Sequence, residues 1–148
     1  YYQMGAYVEH IASGVFVYGA YGKEDNEFDF AFAPPGSISA PDGRHWYAKA
    51  GLRERWTKLG HTVVYGEYAS YDDMFGPTAN FINNIIPAHD VETNITLYGA
   101  GLVQETDAAA MSTWIKYRHY EGEAKADSLG DIHIDAFDTI GVGALINF

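Results

Sequence analysis

Five cations recur at alternate positions in two short runs. Lys49, Arg53 and Arg55 lie in Trp46–Trp56, and Lys116 and Arg118 lie in Ala108–Tyr120. A spacing of two puts side chains on one face of an extended strand. Tyr47 shares the parity of the first run, Tyr120 shares that of the second, and Glu67 is the only acid in His61–Tyr71. A face of ammonium and guanidinium groups with phenols beside them can bind and steer ions. Covalent chemistry needs more, a nucleophile with a base in reach. Ser70, Ser112 and Ser128 have no His at a spacing that suggests such a pair, so the chain is expected not to be an enzyme. His89-Asp90 and the His133/Asp135 pair come nearest to a metal motif. Both fall in acidic, loop-like sequence and read as solvated groups, so no metal site and no cofactor are expected.

Strands must carry these side chains. Seven segments read as strands: Tyr2–Glu9, Gly14–Gly22, Trp46–Trp56, His61–Tyr71, Ile95–Gln104, Ala108–Tyr120 and Ala136–Phe148. Pro34, Pro35, Pro41, Pro77 and Pro87 all fall between them, where proline breaks no ladder. The connections alternate in length. His10–Ser13, Thr57–Gly60 and Glu105–Asp107 are short, whereas Lys23–His45, Asp72–Asn94 and Glu121–Asp135 are long. Tight turns at one rim and long loops at the other mark an antiparallel up-and-down barrel that crosses a membrane. Phe28, Phe30 and Phe32 alternate with Asp29 and Ala31, but a spanning strand there would invert everything downstream, so they are read as loop. Trp46 and Trp56 lie ten residues apart, roughly 33 Å along a strand and about 25 Å of height at a tilt of ~40°.

Energetics choose the face. A Lys or Arg turned to lipid costs ~2–4 kcal/mol near the midplane, and an acid costs less. Lys49, Arg53, Arg55, Glu67, Lys116 and Arg118 are therefore expected to line a water-filled lumen with Tyr47 and Tyr120. Trp46, Trp56, Tyr68, Tyr117 and Phe148 are expected to form the aromatic girdle facing lipid. Ile95–Gln104 carries no charge, so its parity stays open. Two readings of the cations stand side by side: a basic wall opposed by an acidic loop, or cations bonded to their own neighbours and lumenal water. The acidic loop would be Lys23–His45, with Glu24, Asp25, Glu27 and Asp29, or Asp72–Asn94, with Asp73.

The 148-residue chain carries a formal charge of −11 and no Cys, which excludes disulfides and argues against nucleic acid as a partner. No run approaches the ~20 apolar residues of a spanning helix, as expected where only alternate residues meet lipid.

The C-terminal sequence sharpens the reading. Counted back from Phe148, one face of the last strand is Phe148, Ile146, Ala144, Val142 and Ile140, all apolar. Asp138–Phe148 is similar to the closing strand of Gram-negative outer-membrane porins. The stretch Gly99–Met111, followed by Tyr117-Arg118-His119-Tyr120, also resembles the strand, short periplasmic turn and strand that precede it in those proteins. The resemblance implies a 16-stranded homotrimeric barrel in the bacterial outer membrane, passing small hydrophilic solutes and ions. At 148 residues the chain would be the C-terminal half of such a porin, a single β-barrel domain over 1–148. With Phe148 at the periplasmic rim, seven strands place Tyr1 at the outer rim, which also fits a larger barrel. The alternatives are a complete eight-stranded outer-membrane barrel with a structural or binding role, and a soluble ligand-binding barrel.

Overall fold

The computed structural model describes residues 1–25, 42–74, 91–126 and 130–147. Seven strands follow one another: β1 (Tyr2–His10), β2 (Val15–Glu24), β3 (Gly43–Glu54), β4 (Thr62–Asp72), β5 (Val91–Thr106), β6 (Met111–Ala126) and β7 (Gly130–Ile146). Each pairs antiparallel with the next, so the order in the sheet is the order in the chain. The sheet is open, with β1 and β7 as its edges. Strands of 16 or 17 residues at β5, β6 and β7 far exceed the ~5–6 residues usual in soluble sheets.

The register sorts the side chains onto two faces. Lys49 lies opposite Glu67, Glu67 opposite Gly99, and Gly99 opposite Arg118. This settles the parity of β5: Leu97, Gly99, Gly101 and Glu105 share the face of the charged residues. The other face carries Val17, Ala50, Val64, Ala100, Ile115 and Val142, with Trp46 and Tyr68 beyond them.

The sheet curls toward its charged face. Phe16, Tyr65, Glu67 and Leu97 are buried there, each flanked by neighbouring strands of the sheet. Glycines report the same crowding. A Cβ on Gly101 would sit 2.4 Å from the Tyr65 ring, and one on Gly143 would sit 2.2 Å from the Trp114 ring. On the opposite face, the nearest atom to a Cβ on Gly66 would be 3.8 Å away and on Gly19 4.0 Å. Side chains converge on the concave side of a curved sheet and diverge on the convex one, which is the contrast seen.

Two expectations are corrected. Glu121–Asp135 is not a long loop. β6 and β7 stay paired from Gly122↔Ile134 to Ala126↔Gly130 across an irregularity at Tyr120/Gly122. Acidic side chains cost nothing on a strand that stands in water, so charge density is a poor guide to where a hairpin ends. Further, β3 ends at Glu54. The last ladder partners of β3 are Leu52 toward β2 and Glu54 toward β4, and the Arg53 amide donates to the Gly14 carbonyl at 2.8 Å. Gly14 makes that turn with φ +62°, where a Cβ would collide with the Arg53 carbonyl at 2.4 Å. Arg55 and Trp56 therefore leave the sheet. The strand-borne apolar span, Trp46 to Leu52, is roughly 20 Å along the strand, shorter than the Trp-to-Trp estimate.

Candidate functional site

The charged face is organised around Glu67 at the middle of β4. Its side chain has no exposed surface. Arg118, two strands away on β6, reaches over β5 and holds it with two bonds, Nε to Oε1 at 2.6 Å and Nη2 to Oε2 at 3.0 Å. Gly99 makes the crossing possible, because a Cβ there would lie 3.1 Å from Arg118 Cγ and 2.4 Å from the Tyr117 carbonyl oxygen. Tyr47 donates its hydroxyl to Glu67 Oε2 at 2.5 Å. A buried carboxylate is costly unless paired and hydrogen-bonded, and here a forked guanidinium and a phenol satisfy it.

The two lysines of this face are held differently. Lys49 Nζ sits 4.2 Å from the centroid of the Tyr65 ring and 5.6 Å from that of Tyr47. The Lys116 stem lies along β7, its Cε 3.0 Å from where a Gly141 Cβ would be. Among the described residues, no carboxylate forms an ion pair with either amino group.

A second cluster lies nearer the short turns. Arg53 binds Glu105 through Nε at 3.1 Å and Nη2 at 2.8 Å, with Glu9 at 3.9 Å and His61 Nδ1 3.3 Å from Glu105. Tyr7 donates to Glu9 at 2.8 Å. Arg55, past the end of β3, pairs with Asp107 in the β5–β6 turn at 2.7 Å, and both groups are about half exposed.

The apolar face is the opposite in chemistry. Met4, Val8, Val17, Ile140 and Val142 are each more than half exposed, and Ile140 and Val142 reach 75% and 73%. An aromatic row crosses it from β1 to β6 through Tyr2, Tyr21, Trp46, Tyr68, Tyr98 and Tyr117. Two neighbouring pairs in the row are in ring contact, Tyr2 and Tyr21 with centroids 6.1 Å apart and Trp46 and Tyr68 4.8 Å apart. Beyond the row the same face turns polar, with Lys23, Arg44, Asp72, Asn94, Glu121, Glu123 and Lys125. His119 and Asp138 meet at 2.6 Å at the boundary. Large exposed apolar patches mark protein–protein or membrane interaction surfaces.

Sequence reasoning therefore placed Tyr47, Lys49, Arg53, Glu67, Lys116, Arg118 and Tyr120 together on one face, and Trp46, Tyr68 and Tyr117 on the other. Arg55 and Trp56 fall in the turn. Phe148 lies outside the described residues, as do His89-Asp90, the Phe28–Phe32 alternation and most of both candidate acidic loops. Among the described residues no group of His, Asp and Glu is arranged to hold a metal ion. Glu9, His61 and Glu105 were missed. Their signal was present: each lies at a strand end with the parity of Arg53, but none sits within the cation-bearing runs.

The described residues define an all-β protein, a seven-stranded antiparallel meander with one charged and one apolar face. No protein-family model, curated protein or solved structure matches the chain.

Proposed function

We propose that this chain forms consecutive staves of a bacterial outer-membrane porin, with the apolar face on lipid and the charged face lining a water-filled pore for small hydrophilic solutes and ions. One observation carries the reading. Exposed apolar side chains occupy one face of every strand, bordered from β1 to β6 by an aromatic row, while the opposite face carries the Arg53–Glu105 and Arg118–Glu67 ion pairs with Glu67 buried. Lipid-facing bands of barrels have this composition, and water-facing sheets have the reverse. The open edges support a larger barrel. Unpaired backbone groups on β1 and β7 are intolerable in lipid, so further strands must cover them before the sheet can stay there. The resemblance of Gly99–Met111, Tyr117–Tyr120 and Asp138–Phe148 to porins supplies the 16-stranded, homotrimeric form of that barrel.

A second reading, a small eight-stranded barrel with a structural or binding role, is favoured by the interlocked Glu67–Arg118–Tyr47 network, since such barrels fill their interiors with paired charges. Planar-bilayer recording of the protein purified from outer membranes separates the two. Stepwise ohmic conductance in 1 M KCl is the expected result. Stable insertion without conductance would favour the small barrel, and recovery of the protein in the soluble fraction would overturn both.

A further inference from the structure

We propose that the pore preferentially passes small anions, and that Lys49 and Lys116 set this preference; the inference rests on the porin reading above. The chain as a whole is strongly acidic, with a net charge of −11, so its overall balance points the other way. The local balance on the charged face differs. Among the described residues of this face the only carboxylate at mid-height is Glu67, and both its oxygens are taken up by Arg118 and Tyr47. The acids nearer the short turns, Glu9 and Glu105, flank Arg53. Lys49 and Lys116 are left as ammonium groups held by an aromatic face and by a glycine lane, with no carboxylate of the described residues in ion-pair contact.

Lys49, Glu67, Gly99 and Arg118 form one row across the register, and Lys116 is the next residue on the same face of β6. Three positive groups against one negative group leave this layer with a net positive charge, presented from β3 and β6 toward the concave side. Inorganic phosphate, chloride and small carboxylates suit such a layer, because an ammonium is a compact point charge that does not demand a planar ligand. Neutral solutes would pass without preference.

The test is the reversal potential of the reconstituted protein in a KCl gradient. Conductance with a chloride-to-potassium permeability ratio above one is expected. Lys49→Gln with Lys116→Gln should lower that ratio about threefold, the effect of two unit charges acting through about one Debye length at 0.1 M salt. Lys49→Arg with Lys116→Arg keeps the charge and should leave the ratio unchanged, which separates charge from a change in pore shape. A channel that conducts but prefers potassium, or whose ratio ignores the double Gln substitution, overturns the inference while the porin reading stands. Absence of any conductance overturns the porin reading itself.

Discussion

Arg118→Met should destabilise the sheet by breaking the buried pair with Glu67. The change removes a forked guanidinium and leaves Glu67, whose side chain has no exposed surface, with Tyr47 as its remaining partner. Stranding a buried charge in this way costs ~3–5 kcal/mol. Arg118 is itself about a quarter exposed, so part of its charge is already solvated, and Tyr47 keeps its bond. Both reduce the cost, to about 2–3 kcal/mol. Glu67→Gln alone should cost less, because Arg118 can turn toward water. The double substitution should recover much of the loss, giving a coupling energy of about 1.5 kcal/mol or more in the cycle. Urea titration of the protein in lipid vesicles, followed by intrinsic fluorescence, measures all four corners. A coupling below about 0.5 kcal/mol would refute the claim that Glu67 and Arg118 act as a buried pair, and would assign them to solvated, independent positions.

Three further outcomes follow from the two faces. Val142→Arg should impair assembly or cost ~2–4 kcal/mol if lipid covers Val142, whereas a water-facing Val142, already 73% exposed, would tolerate it; the fraction of heat-modifiable folded protein on gels reads the difference. Gly143→Ala should cost about 1–3 kcal/mol and shift Trp114 emission, because the new methyl meets that ring, while Gly66→Ala on the open face should stay within about 0.5 kcal/mol of the parent in the same urea titration. Brominated lipid should quench Trp46 and spare Trp114 when each is kept as the single tryptophan; equal quenching of both would abolish the assignment of faces.

The sequence by itself determined the strands, their antiparallel order and the facing of β3 and β6. Alternation has a period of two, and a cation at every second position leaves one face only for the charges, so local pattern was enough. The same reasoning failed where local pattern was silent or misleading. β5 carries no charge within Ile95–Gln104, and only its register against Glu67 and Arg118 turned Leu97 and Gly99 to the charged side. The acidic stretch after Tyr120 read as loop because polarity marks solvent exposure, not chain conformation; backbone pairing with β7 decided it. Trp56 lost its place on the ladder because the pairing of β3 stops at Leu52 toward β2, where the Gly14 turn begins, and at Glu54 toward β4. Above all, the pairing of the cations was invisible in one dimension. Arg118 and Glu67 are 51 residues apart and meet only because Gly99, on the strand between them, has no side chain to keep them apart.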